Sequence, residues 1–209
     1  MSSTVDNVGR GVIVPDPDLD MDQVALPKDN AFDIYAKFIV RRLVRRGLPV
    51  SEALKHVKNK TDLALKVLME EMEERPVYVN RAPTLHKFNI LAMKPVLTND
   101  KAIHVNPFVL KGFNADFDGD TMQFHVPSTK EAVKEALERM LPSKNLFSIR
   151  DFTTPAHMPV EEDELAGLYL ATRKKKTGRV HVFSTKQEAI AAWKRGDIGI
   201  NDEVRIISS

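Results

Sequence analysis

Residues Asn114 to Asp120 read Asn-Ala-Asp-Phe-Asp-Gly-Asp, with Asp116, Asp118 and Asp120 at alternate positions and Gly119 between the last two. Three ionised carboxylates this close repel one another unless a cation neutralises them or water separates them. In a regular strand alternate side chains share one face. A glycine lets the backbone curl instead, so that three oxygens converge on one point. Hard oxygen ligands suit Mg²⁺, which keeps part of its hydration shell and shares it with substrate phosphates. Taken alone, the pattern fits an acidic surface turn equally well.

Two other acidic loops resemble it. An EF-hand calcium loop starting at Asp116 requires glycine at its sixth position and glutamate at its twelfth, where this chain has Thr121 and Pro127. That reading fails. The aspartyl-phosphate motif of the haloacid dehalogenase type has the form D-x-D-G-T after a buried strand. Here Asp120 intervenes before Thr121, and Lys111-Gly112-Phe113-Asn114 is too polar for a fully buried parallel strand. A metal-dependent phosphatase of that type stands as the alternative function, beside a non-catalytic assembly module.

The chain that must position this loop has 209 residues, enough for one large or two small domains with a real core. Hydrophobic residues make up 43% and charged ones 29%, ordinary for a soluble globular protein. With no cysteine there is neither a disulfide framework nor a thiolate metal site. No apolar run approaches a membrane span and no signal-peptide pattern opens the chain, so a cytoplasmic protein without a membrane partner is expected. The net charge of +2 conceals basic clusters at Arg41-Arg42 with Arg45-Arg46, Lys55 to Lys60 and Arg173 to Arg179, and acidic ones at Glu70 to Glu74 and Glu161 to Glu164. Such basic clusters read as solvated helix faces or as contacts for a polyanion.

Periodicity supplies the elements. Val12-Ile13-Val14 reads as a short strand within an extended entry. Phe32, Ile34, Tyr35, Phe38, Ile39, Leu43 and Val44 form the stripe of a helix from Ala31 to Arg46, capped by Asp29 or Asn30 and followed by Gly47. A second helix starts at Ser51, and a third runs from Thr61 to Glu74, stopping before Pro76. Beyond Pro76, Val77-Tyr78-Val79, Pro95-Val96-Leu97, Ala102 to Val105 and Thr121 to Val126 read as short strands of a small closed barrel. Ser128 and Glu131 form a capping box opening a helix that ends at Pro142. A helix from Glu162 to Arg173 is expected to bury Leu165, Leu168 and Tyr169. Ser184 with Gln187 opens a last helix through a core Trp193 to Gly196, and Val204 to Ile206 reads as a closing strand.

The tract Asn80-Arg81-Ala82-Pro83-Thr84-Leu85-His86, followed by Pro95-Val96-Leu97, Asn114 to Asp120 and His125-Val126-Pro127, resembles the catalytic core of the largest subunit of multisubunit DNA-dependent RNA polymerase, in its bacterial β′ form. Val5-Asp6, Gly9-Arg10, Leu26-Pro27-Lys28, Leu168-Tyr169 and Val182-Phe183-Ser184 extend the resemblance over nearly the whole chain. It implies an α+β fold whose double-psi β-barrel core carries the metal loop, with helices inserted and flanking. On that plan residues 1–25 are an extended entry segment of the barrel region and 26–75 a helical insertion. Residues 76–127 are the barrel core with the metal loop, and 128–209 a helical C-terminal part with a short closing strand.

The resemblance also implies roles. Asp116, Asp118 and Asp120 would hold a catalytic Mg²⁺ that lowers the pKa of the RNA 3′-hydroxyl, and a second Mg²⁺ would arrive with the nucleotide. Asn114 and Arg81 would face the ribose of the incoming nucleoside triphosphate, Pro83 would stiffen the Arg81 turn, and Arg10 would contact the nucleic-acid backbone. The implied partners are the second large subunit, the remainder of the largest subunit, the DNA template and the RNA product, at the nucleoid. Thr121, Phe113, Lys87 and Glu162 depart from the family's usual glutamine, tyrosine, arginine and glutamine. Family members are several-fold longer, so the chain alone is expected to bind divalent metal weakly and to lack polymerase activity. Without the resemblance, Arg81 reads as a partner for Glu73 or Glu74 and Asn114 as a turn residue. His86, His104 and His125 read as hydrogen-bonded barrel histidines rather than metal ligands.

Overall fold

The computed structural model describes residues 8–147, 162–173, 180–199 and 201–207. They divide into two compact units, Met1–Pro159 and Val160–Ser209. In the first, short runs of Val, Ile and Leu form six strands: β1 (Val8–Pro15), β2 (Gln23–Pro27), β3 (Val77–Asn80), β4 (Ile90–Thr98), β5 (Ile103–Val105) and β6 (Thr121–His125). They close into a barrel in the order β1-β5-β2-β4-β3-β6. Closure leaves no strand edge unpaired. The β1–β5 and β2–β4 pairs are parallel, while β1–β6, β2–β5, β3–β4 and β3–β6 are antiparallel. This is the α+β, double-psi β-barrel architecture with inserted and flanking helices.

Alternation fills the interior. Met122 and Phe124 of β6 and Val77 and Val79 of β3 are buried while their neighbours are half-buried. Ile13, Val24, Leu26, Leu91, Met93, Ile103 and Val105 complete the filling. Gly9 lies opposite Phe124, whose ring occupies the space a Cβ at Gly9 would need, at 2.1 Å. Strand β2 was not expected from the sequence. Its Gln-Val-Ala-Leu-Pro run is buried at four successive positions and so shows no alternation. The barrel thus draws on β1 and β2 as well as on residues 76–127, and β2 crosses the 25/26 division.

Between β2 and β3 lie α1 (Lys28–Arg45), α2 (Val50–Lys58) and α3 (Asp62–Glu74). The α1 stripe is buried as periodicity predicts, at Phe32, Ile34, Tyr35, Phe38, Ile39 and Leu43. The helix starts directly out of β2, with Pro27 at the cap position and no side-chain cap. Neither Asp29 nor Asn30 caps it, because both already lie inside its first turn; Asp29 pairs with Lys60 instead. The arginine cluster splits. Arg42 pairs with Glu70, Glu71 and Glu74 of α3 and Arg46 pairs with Glu70, whereas Arg41 and Arg45 are exposed.

Following β5 come a helical turn α4 (Leu110–Phe113), β6 and α5 (Lys130–Arg139). Thr129, not Ser128, caps α5, accepting from Ala132 N at 3.1 Å, since Thr129 is the extended residue immediately before the helix.

The second unit contains α6 (Glu162–Thr172), β7 (Val180–Phe183), α7 (Lys186–Arg195) and β8 (Glu203–Ile206). The expected closing strand, β8, pairs in parallel with β7. Leu165, Leu168 and Tyr169 are 53%, 56% and 61% exposed, against the expected burial, and Trp193 is 48% exposed rather than core. On α6 the apolar residues, with Leu170, lie around the helix instead of forming a stripe, and periodicity overstated a buried face. Thr185, not Ser184, caps α7, and Gly196 closes it at φ +82. Among the described residues no helix is long and apolar enough to cross a membrane.

Candidate metal centre

Two loops meet because two strands are in register. β3 and β6 pair Tyr78 with His125, Val79 with Phe124 and Asn80 with Gln123. Residue 81 leaves β3 where β6 begins, beside Asp120. There Arg81 Nε donates to Asp120 Oδ2 at 2.7 Å. The pairing with Glu73 or Glu74 that a lone Arg81 suggests does not form; Glu74 is taken by Arg42.

The acidic loop itself is shaped by two positive-φ residues. Asn114 ends α4 in the left-handed region at φ 48 and ψ 44, a conformation asparagine tolerates. Gly119 turns at φ +116, which a side chain would strain. The carboxylates therefore do not lie in a row as on a strand. One oxygen from each of Asp116, Asp118 and Asp120 falls within 4.8 Å of the others, and among the described residues no other such trio of acid or histidine side chains occurs. Ile13 N donates to Asp120 O at 3.0 Å, tying the loop to β1, and Asp116 N donates to Asp120 Oδ2 at 3.2 Å.

Oxygens sharing one octahedral Mg²⁺ at about 2.1 Å stand about 3.0 Å apart when adjacent and about 4.2 Å when opposite, so the three side chains would have to draw closer to share one ion. The donor set is all-carboxylate, the kind Mg²⁺ takes. Asp116 and Asp118 are exposed and Asp120 is half-buried. A shared hydrogen bond with Asp118, then burial and the charges of Asp118 and Asp120, hold the Asp116 carboxyl above its ordinary value. The Arg81 hydrogen bond holds Asp120 below it.

Asn89 was missed by sequence reasoning. It is fully buried between the loops. Its Oδ1 accepts from Leu85 N at 3.2 Å and His86 N at 3.0 Å, and its Nδ2 donates to Phe113 O at 2.9 Å. One side chain thus ties the Arg81 turn to the residue before Asn114. The available signal was weak: a lone asparagine between Phe88 and Ile90 at a strand entrance.

The remaining expected residues fall as follows. His86 Nε2 lies 3.3 Å from the Asn114 amide. Pro83 is exposed in the same turn, after a cis Ala82–Pro83 bond. Arg10, on β1, donates to Thr121 Oγ1 from Nε and Nη2 at 3.0 and 2.8 Å, next to Asp120 in the chain. His104 lies between Asp16 and Asp100, at 3.2 and 2.9 Å. His125 departs from expectation: its buried Nδ1 has no partner among the described residues. Its cross-strand neighbours are Val8 and Tyr78, and the Tyr78 hydroxyl donates elsewhere, to Ala132 O. The loop leaves a helical turn rather than a parallel strand, so the strand-end arrangement of the haloacid dehalogenase type is absent.

The closed six-stranded barrel, with the Asp trio on the loop entering β6, has the double-psi architecture that the sequence resemblance implies. A family model described as "RNA polymerase Rpb1, domain 2" matches residues 46–141. The DNA-directed RNA polymerase subunit beta' of Salinibacter ruber is 39% identical over 210 residues, covering 99% of this chain and 14% of that protein. The same subunit of Chloroherpeton thalassium is 37% identical over 98% of this chain and 14% of its own length, and that of Clostridium tetani 37% over 99% and 18%. The chain matches a segment of the bacterial β′ form of the RNA polymerase largest subunit and spans less than a fifth of the length of these relatives.

Proposed function

We propose that the Asn114–Asp120 loop is the Mg²⁺-holding centre of a DNA-dependent RNA polymerase, supporting transfer of a nucleotide from a nucleoside triphosphate to the RNA 3′-hydroxyl. It does so in a complex with the second large subunit, the rest of the largest subunit and template DNA. The observation that carries this reading is the convergence of three carboxylate oxygens within 4.8 Å, one of them held by an arginine from the facing turn. Phosphoryl transfer leaves little covalent work to the protein, so positioning and charge neutralisation are what such a site must supply. A bound Mg²⁺ would make the 3′-hydroxyl a better nucleophile and offset charge developing on the phosphate.

The chain's own residues divide the rest. Asp116 and Asp118, being exposed, are the ligands an arriving ion meets first. Asp120 is fixed through its carboxylate by Arg81 and through its carbonyl by Ile13. Among the described residues the terminal nitrogens of Arg81 make no hydrogen bond, which leaves donors for a ribose hydroxyl. Asn114 offers its amide beside the same loop, and Arg10 on β1 is the group we assign to a phosphate. Asp118→Ala is expected to abolish Mg²⁺-dependent RNA extension by the enzyme reassembled with this chain; undiminished extension overturns the reading. Absence of Mn²⁺ binding at the trio in that enzyme would favour a non-catalytic assembly module.

A further inference from the structure

The amide of Asn114 faces His86 Nε2 at 3.3 Å, and the two ends of an amide have nearly the same shape. The other ring nitrogen decides which end belongs there. His86 Nδ1 caps the turn Lys87–Asn89 by accepting from the Phe88 N–H at 3.2 Å. An accepting nitrogen carries no proton, so the neutral ring carries its proton on Nε2. With the Asn114 nitrogen toward the ring, two N–H donors would oppose each other. With Oδ1 toward the ring, Nε2–H donates to it and the amide N–H groups are left for the site.

We propose that His86 is a positioning residue for sugar recognition: it holds Asn114 Oδ1, so that Nδ2 is offered as a donor to a ribose hydroxyl oxygen of the incoming nucleotide. This rests on the reading above in which Asn114 faces the sugar. Arg81 is donor-only as well. A hydroxyl oxygen, with two lone pairs, accepts from both, and a deoxyribose lacking that oxygen leaves both donors unmatched. The geometry is fixed from both sides. Asn89 Oδ1 holds the backbone N–H of His86, and Asn89 Nδ2 holds the carbonyl preceding Asn114. Asn114 itself is set in the left-handed region. A recognition group locked by its neighbours discriminates better than a freely rotating one.

The test has two arms. In ¹⁵N spectra of the histidine-labelled full chain, His86 is expected with a protonated Nε2 and a bare Nδ1; a proton on Nδ1 overturns the proposal. In the reassembled polymerase, the ratio of kcat/KM for a ribonucleotide over its 2′-deoxy analogue is measured in variants. His86→Asn keeps an acceptor near the Nδ1 position for the cap but removes Nε2, and is expected to lower the ratio about 3- to 10-fold. His86→Gln returns an N–H near the Nε2 position and is expected to restore most of it. Asn114→Gly keeps the left-handed backbone, lowers the ratio at least as far, and leaves His86→Asn with no further effect. Full selectivity in His86→Asn, with loss in Asn114→Gly, overturns the proposal. Full selectivity in Asn114→Gly overturns it too, but through the reading on which it rests, and the tautomer then still reports whether the His86–Asn114 contact exists.

Discussion

Asp116 and Asp120 carry the same side chain four residues apart and meet opposite electrostatics: Asp118 keeps the proton on Asp116 longer, while Arg81 drives it off Asp120. The support for that contrast lies in Asn89, whose three hydrogen bonds align the two loops. Asn89→Ala leaves a buried carbonyl and two N–H groups without partners. It is expected to destabilise the first unit by about 2–4 kcal/mol in denaturant unfolding. Asn89→Asp keeps the two accepted bonds but sets a carboxylate against the Phe113 carbonyl, and is expected to recover little of that loss. The acidic trio was legible from residue type and spacing, whereas Arg81 and Asn114 were singled out only by the family resemblance, residue type alone pointing to a Glu73 or Glu74 partner and to a turn residue. Asn89 was not legible, because a buried asparagine is defined by the partners it finds and those lie 3, 4 and 24 positions away.

At the scale of elements, β1 and β6 approach closely because Gly9 has no side chain. Gly9→Ala would set a Cβ 2.1 Å from the Phe124 ring. Overpacking of this kind is expected to cost about 1–3 kcal/mol, read as a lowered Tm and partly relieved by adding Phe124→Leu. The α1–α3 clamp makes a separate prediction. Burial disfavours the charged form of Glu70, but the hydrogen bonds and charges of Arg46 and Arg42 outweigh it, and its pKa is lowered. Its folded value then lies below its unfolded one. The stabilisation is fully present above the ordinary glutamate value of about 4.3 and is lost as pH falls through the depressed folded value. The Tm difference between wild type and Glu70→Gln is therefore expected to hold near neutrality and to close on acidification. Sequence placed α1, α3 and β6 well, since each shows a stripe or an alternation. It left out β2 and shortened β1 and β4, whose burial patterns are set by neighbours on both sides of the barrel wall.

At the scale of the molecule, Asp116 and Asp118 are open to solvent. Hydrated carboxylates hold a strongly hydrated ion weakly. The chain alone is expected to bind Mg²⁺ or Mn²⁺ weakly in a metal titration and to give no product in a primer-extension assay. On the proposed function, the same chain reassembled with the other polymerase subunits is expected to restore extension. Submillimolar Mg²⁺ binding by the isolated chain would show the trio more organised than its exposure allows.

The sequence by itself determined the trio of carboxylates, the glycine that bends them inward, the alternation of β6 and the apolar stripe of α1. Each of these is a local pattern in which residue type reports backbone conformation or one-sided burial. Only the tertiary structure decided that Arg81 meets Asp120 across 39 residues, that Asn89 joins the two loops, and that α6 and Trp193 stay exposed. Those outcomes depend on how β3 and β6 register and on what lies across from each side chain. Neighbours in space set them, and neighbours in sequence do not record them.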